Sequence, residues 1–299
     1  MLIKRDDLGD ATAGSKTRKL EFIFPEILKG DHDWILSIGT TQSNSCAALT
    51  TTAAKVGLRS AHVLIKDHYY KEERPADGNL FFHRLFGSQL FLMSREEYRQ
   101  VGKDKNAILQ NIKEVLIKEH GAINPYVIPL GSSTTSGLFG YIECIHELEL
   151  QLEELNHSVD EIFFSCGSGG TAAGLAIGKY LCKSHKLKSA QLTAYMSWET
   201  TPHHFHDYVN EMLATLGLNE VKSEDIIRFV PAHGLGFAIN NENDLQVMRD
   251  VARSSGVVLD GTYTSKALAS FIDERWAKGK NCLFIHTGGI YSMIGREDV

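Results

Sequence analysis

No apolar run in this 299-residue chain approaches the roughly 20 residues of a membrane span. The opening "MLIKRDDLGD" turns polar after three residues and does not read as a signal peptide. Cysteine is sparse. Cys46, Cys144, Cys166, Cys182 and Cys282 are odd in number and lack C-x-x-C spacing, which gives no disulfide framework or zinc site and suits a reducing cytoplasm. Positive charge is also short, and a formal net charge of -6 argues against a nucleic-acid or polybasic membrane partner. Low-complexity linkers, internal repeats and charge blocks are lacking, so a second domain is expected as an insertion. Apolar content of 43% and charged content of 23% are ordinary for a globular protein, and the length allows two domains.

What is present alternates. Short β-branched or aromatic runs at 34–39, 61–65, 89–93, 126–131, 161–165, 192–196, 226–230 and 282–286 are separated by helical patterns such as 43–56, 136–155 and 171–184. Strand, crossover helix and strand, repeated this often, predict an α/β fold with mostly parallel sheets. Ligands in such sheets bind at the loops leaving the C-terminal ends of strands. Three turns occupy that position: "SIGTTQSNS" (37–45), "SCGSGGTAAG" (165–174) and "HTGGIYS" (286–292).

Gly167, Ser168, Gly169, Gly170 and Thr171 follow a buried strand and open a helix of small residues. Backbone N–H groups, hydroxyls and the helix dipole converge there on an anion. The turn lacks the Gly-Lys-Ser/Thr ending of a nucleotide loop, and "AQLTAYM" supplies no acidic residue for a dinucleotide ribose. A single phosphate group fits best. In the second turn, Gln42, Ser43, Asn44 and Ser45 exceed what one helix cap requires and suit a carboxylate or phenolic oxygen. "GSKTRKLEF" (14–22) sets three basic residues before an apolar helical run. A phosphate cradle, a neutral polar cluster and a committed lysine point to pyridoxal phosphate, an aldehyde cofactor held by a lysine. "TPHHFHDY" reads as a surface helix, since only His203 with Asp207 has ligand spacing, and Cys166 reads as a packing residue.

The series "IKRDDL", "GSKTRKLEF", "GTTQSN", "GSGGT", "TYTSKA" and "HTGG" resembles the D-cysteine desulfhydrase and 1-aminocyclopropane-1-carboxylate (ACC) deaminase family, from Ile3 to about Tyr291. The resemblance implies the tryptophan-synthase-β type of fold: two domains, each an open, mostly parallel twisted sheet flanked by helices. We place the large domain at 1–23 with 132–299 and a smaller inserted one at 24–131. By the same resemblance Lys16 is the Schiff-base lysine. Asn44 bonds the cofactor's phenolic oxygen, Gly167 to Thr171 hold its phosphate, and Thr287 lies beside it. Ser43, Asn44 and the Ser45 backbone receive the substrate carboxylate, with Tyr263 and His233 near the substrate, and the freed Lys16 amine, or Ser43 or Tyr263, removes the α-proton. Lys19 is expected to be solvated or paired with a carboxylate. No metal is expected.

Thr264 faces the pyridine nitrogen in this resemblance, where the deaminases carry Glu. A hydroxyl cannot keep that nitrogen protonated, which favours β-elimination over opening a cyclopropane. The implied activity is a lyase on D-cysteine or a related β-substituted D-amino acid. The alternatives are ACC deaminase, a serine or threonine dehydratase of L-configuration, and a non-catalytic homologue that binds the cofactor. The chain departs from the pattern at Ser45, Ala47, Ala48, Thr134 and His233, which bears on the substrate. The resemblance also implies a homodimer.

Overall fold

A computed structural model describes residues 1–8, 14–67, 70–74, 76–102, 104–275 and 279–298. Among them the strands form two sheets, both wholly parallel. The first has the order β1 (Leu2–Arg5), β9 (Cys282–His286), β6 (Glu161–Cys166), β7 (Gln191–Met196), β8 (Arg228–Pro231). The second runs β4 (Gln89–Met93), β3 (Arg59–Ile65), β2 (Trp34–Thr40), β5 (Tyr126–Val127).

The α/β expectation therefore holds, with local differences. The edge strand β1 was not legible as one, because its four half-buried residues show no apolar alternation. β5 covers two residues of the expected six, since Leu130–Ser132 coils into a 3-10 turn. β8 starts two residues late because Ser223–Ile226 forms a helical turn.

Residues of β6, β7 and β9 are buried on both faces, as parallel strands covered by helices must be. On one face the Thr135–Glu154, Gly170–Leu181 and Pro202–Thr215 helices pack through Tyr141, Leu175 and Phe205. On the other, Phe163 stacks between Phe271 (3.8 Å between centroids) and Phe284 (5.0 Å) under the Thr264–Arg275 helix. The second sheet packs one face on the Ser15–Ile27 and Asn44–Lys55 helices and the other on Lys105–Glu119. The Ser15–Ile27 helix also packs on Thr135–Glu154, so it lies between the two sheets.

Charges of the first two motifs turn out to brace that junction. Arg18 donates to both Asp6 and Glu147 at 2.8–2.9 Å, and Lys4 donates to Glu147 at 2.7 Å. Hydrogen bonds from Arg18, then Lys4, pull the Glu147 carboxyl down to about 2, against partial burial. Opposite charges joined by bidentate hydrogen bonds tie β1, the Lys16 helix and the Thr135–Glu154 helix together.

A second buried polar cluster sets the acid limit of the fold. Thr50 Oγ1 lies 2.9 Å from His62 Nε2 and 2.8 Å from His83 Nδ1, and both rings are fully buried. Burial pushes the His83 imidazole down to about 4; burial and then the charge of His83 push His62 well below its usual value. Both are therefore neutral in the fold at neutral pH. As pH falls below 6.5 the unfolded chain takes up protons that the native state refuses, so stability is lost toward pH 4. His83 alone accounts for roughly 3 kcal/mol of that loss. Urea unfolding between pH 7 and pH 4.5 will show the fall, and His83→Gln will flatten it. An equal slope in the variant would refute the assignment.

Candidate active site

Lys16 is the second residue of the Ser15–Ile27 helix, and the turn before it explains where its side chain goes. Gly14 has φ +97°, and a Cβ there would meet the Thr287 carbonyl oxygen at 2.4 Å. Its N–H donates to Asp6 O (2.7 Å), and the Ser15 N–H donates to Thr287 O (2.9 Å). The helix thus starts directly against the turn that follows β9, which sets Lys16 over the ends of the first sheet. Gly14→Ala is expected to lower stability by about 1–3 kcal/mol, because φ is left-handed and the backbone cannot recede. Urea denaturation checks this, and a variant as stable as the parent would contradict it.

Burial lowers the half-buried Lys16 amine to about 8. The nearby Cys46 and Cys166 thiols are pushed up to about 12 by their own burial, so they stay protonated and lend it no negative charge. An amine so tuned is a usable nucleophile and base near neutral pH.

Lys19, one turn on, corrects an expectation. It is 1% exposed, and among the described residues no carboxylate pairs with it. Its one hydrogen bond among the described residues is a 3.4 Å contact to Gly131 O. Burial, then the charge of Lys16, depresses its pKa strongly. Its Nζ lies 2.9 Å from where a Cβ on Gly170 would stand, with Ser133 Oγ 2.7 Å from the same point.

Those residues border the 167–171 turn, the candidate anion site. Gly169 (φ +90°) precedes the Gly170–Leu181 helix, whose first N–H groups have no intrahelical acceptor. Ser133 and Ser168 hydroxyls are bonded at 2.8 Å. The Tyr208 ring abuts Gly169, and its buried hydroxyl makes no well-formed hydrogen bond among the described residues, with only a weak interaction with Ser133. Burial holds that phenol up at about 12, so it remains a donor. A buried lysine amine, an under-bonded hydroxyl, a glycine turn and a helix N-terminus together suit an anion, and a phosphate monoester fits. Thr171 is buried in the first turn of that helix, and Thr287 Oγ1 is 3.0 Å from Ser165 Oγ across β6 and β9.

On the other sheet, Ser43 caps the Asn44–Lys55 helix by accepting from the Cys46 N–H at 3.2 Å. Asn79, fully buried, donates to Asn44 Oδ1 (2.7 Å) and to Gln42 O (2.9 Å). That leaves the Asn44 amide nitrogen as the group able to donate to a phenolic oxygen. Ser45 does not offer its hydroxyl to a ligand: it is bonded to Ser132 Oγ at 2.9 Å, and both are buried. Only its backbone N–H remains for a carboxylate. Thr134 caps the Thr135–Glu154 helix through the Gly137 N–H. Ala47 and Ala48 are buried in the Asn44–Lys55 helix and carry no polar group toward the site.

Tyr263 lies with its ring 3.0 Å from where a Cβ on Gly167 would stand, which brings it to the 167–171 turn. Burial, then the Asp260 charge, raises its pKa, so the phenol stays protonated. Thr264 is fully buried; its hydroxyl donates to Asp260 Oδ1 (2.7 Å) and accepts from the Asp260 N–H (2.7 Å). With its one proton committed to a carboxylate, it has none for a ring nitrogen. Asp260 also accepts from the N–H groups of Thr262, Tyr263 and Thr264. His233 stands on the 232–240 loop, its Nδ1 3.2 Å from Gly234 O, and Phe237 of that loop is edge-on to Tyr263 (6.0 Å). The His203 side chain is exposed and 3.4 Å from Asp207, on a surface helix.

Sequence reasoning passed over Asn79, Asp260, Ser133 and Tyr208. Only Asp260 had a local signal, an acidic residue just ahead of a helix start in "DGTYT". The others act across segments distant in sequence.

The chain as a whole resembles known proteins. The family model described as pyridoxal-phosphate dependent enzyme matches residues 1–288. A bifunctional D-cysteine desulfhydrase/1-aminocyclopropane-1-carboxylate deaminase, mitochondrial, from Arabidopsis thaliana is 38% identical over 308 residues, covering 99% of this chain and 74% of that protein. A putative 1-aminocyclopropane-1-carboxylate deaminase from Thermotoga maritima is 32% identical over 301 residues, covering 99% and 90%. The crystal structure of an ACC deaminase homologue superposes with a TM-score of 0.81 at 26% identity, covering 98% of this chain and 85% of that one. These similarities establish that the chain belongs to the pyridoxal-phosphate-dependent enzymes, in the family of the D-cysteine desulfhydrases and ACC deaminases.

Proposed function

We propose that the protein is a lyase that removes the β-substituent of D-cysteine, or of a related β-substituted D-amino acid, to give pyruvate, ammonia and, from D-cysteine, sulfide. The observation that carries this reading is Thr264: fully buried, beside Tyr263, and with its proton held by Asp260. Pyridoxal phosphate, when bound, supplies the electron sink that makes a substrate α-proton acidic. Lys16 would hold the cofactor and then, as a free amine of lowered pKa, take the α-proton. Tyr263 is suited to donating a proton or hydrogen bond, since its phenol is raised.

The substrate carboxylate would be received by the Ser43 hydroxyl and by the Asn44 and Ser45 N–H groups, which open a helix. Lys19, Ser133, Tyr208 and the 167–171 turn would hold the phosphate, and Asn44 Nδ2 the phenolic oxygen. Elimination then breaks the Cα–H and Cβ–S bonds; the proton goes to Lys16, thiolate leaves, and released 2-aminoacrylate hydrolyses to pyruvate and ammonia.

We read the chain as two domains, 1–23 with 132–299 and an inserted 24–131, with the site between them. The same reading makes it a cytoplasmic homodimer acting on a small amino acid, with no nucleic-acid or membrane partner. No helix among the described residues is long and apolar enough to cross a membrane.

The ACC deaminase alternative is favoured by the Thermotoga maritima relative, left open by the bifunctional Arabidopsis thaliana one, and opposed by Thr264. A panel of D-cysteine, L-cysteine, β-chloro-D-alanine and ACC, with pyruvate and 2-oxobutyrate measured, decides. Turnover of the D-amino acids without ACC supports the reading. ACC turnover alone overturns it, and a loaded protein inert to all four is a non-catalytic homologue.

A further inference from the structure

Lys266 is the third residue of the Thr264–Arg275 helix and is 1% exposed. Its ammonium donates to three main-chain carbonyls of one loop: His233 O at 2.6 Å, Gly236 O at 2.7 Å and Ile239 O at 2.7 Å. An ammonium has three N–H donors, and here all are used on carbonyls. The loop is bent to make this possible. Gly234, Gly236 and Ala238 all have positive φ, and Ala238 at +61° is a side-chain-bearing residue in a costly conformation. Three carbonyl oxygens aimed at one point repel one another unless a cation sits there, which is how carbonyl-lined sites hold K⁺. The charges of Asp244, Glu199 and Asp260 favour a cation at this point and that of Arg296 opposes it.

The loop matters for catalysis because of its other residues. It carries His233, and its Phe237 packs edge-on to Tyr263, which lies three residues before Lys266 in the turn that leads into its helix. Asn240 fastens the loop's far end, donating to Gly261 O at 2.6 Å.

We propose that Lys266 is a tethered monovalent cation: by filling a carbonyl-lined site it shapes the 232–240 loop that carries His233, sets Phe237 against Tyr263, and frees the protein from any need for K⁺ or NH₄⁺. Lys266 is a positioning residue, acting on the site through the loop. Removing its stem and charge together leaves a vacant site with the size and donor set of a bare cation site.

The test uses the pyridoxal-phosphate-loaded parent, Lys266→Ala and Lys266→Met, each in buffers whose only monovalent cation is tetramethylammonium, K⁺ or NH₄⁺. D-Cysteine turnover and the thermal midpoint without substrate are both measured. The midpoint is independent of which amino acid is the substrate, so a failure of the D-cysteine reading leaves that arm intact. The parent should be indifferent to the cation. Lys266→Ala in tetramethylammonium should lose on the order of 10-fold to 100-fold in kcat/KM, as expected of a displaced active-site wall. K⁺ or NH₄⁺ should restore part of the turnover and raise the midpoint with concentration, by binding the native state. Lys266→Met, whose stem still fills the space, should not be rescued. A parent activated by K⁺ overturns the proposal. So does a Lys266→Ala protein with parental activity in tetramethylammonium, or one equally impaired or insoluble in all three buffers.

Discussion

Lys16→Ala will lose the near-visible band of the lysine-bound cofactor and lower D-cysteine turnover by roughly 10⁴-fold, the upper end of what one positioned base contributes. The size follows from the lack of a substitute nearby. Cys46 and Cys166 beside Lys16 are held up at about 12. Tyr263 is a raised, protonated phenol. Lys19 has a depressed pKa, but it is 1% exposed and turned toward Gly131 and the Gly170 turn. Absorption spectra and pyruvate release measure the effect directly. A variant that keeps the band, or keeps turnover within tenfold of the parent, removes Lys16 from the chemistry and the proposed lyase mechanism with it.

Lys19→Met will weaken cofactor binding by about 10-fold to 100-fold, the loss expected when one charge-assisted hydrogen bond to phosphate is removed. The cofactor-free protein should move the other way. There the Lys19 amine is buried beside Lys16, with a 3.4 Å contact to Gly131 O and no carboxylate partner among the described residues. Replacing such a group by a methionine of similar length removes a desolvation cost, so the apo thermal midpoint should stay level or rise. Titration with pyridoxal phosphate and a melting curve of the apo protein give both signs. Unchanged affinity would place the phosphate elsewhere. A clearly lower apo midpoint would make Lys19 a structural support of the 131–134 turn.

Parts of the site that depend on local chemistry were legible in the sequence. The 167–171 turn reads as an anion site because glycines, a hydroxyl and a helix start occur consecutively, and the structure puts Gly170 at that helix start. Ser43 reads as a cap and is one. Lys16 stood out through the company its motif keeps, and the structure adds the reason: Gly14 meets Thr287 O so closely that only glycine fits. Lys19 misled, because a lysine among basic residues looks solvated until its helix is seen packed between two sheets. Asn79, which holds Asn44, comes from a segment 35 residues away. Ser132, which takes the Ser45 hydroxyl, is 87 residues away, and no spacing rule reaches that far.

The sequence by itself determined the fold class, the strand-turn-helix position of the anion turn and the family to which the chain belongs. Periodicity, glycine placement and helix capping act within a few residues and leave their mark on composition. Tertiary structure alone decided which polar groups are committed. Asp260 takes the Thr264 proton, Ser132 takes Ser45, Arg18 is spent on Asp6 and Glu147, and Lys266 closes three carbonyls of a loop 27 to 33 residues away. The physical reason is that burial removes water as the alternative partner. The role of each such group is then set by which protein atoms chain folding has brought within about 3 Å.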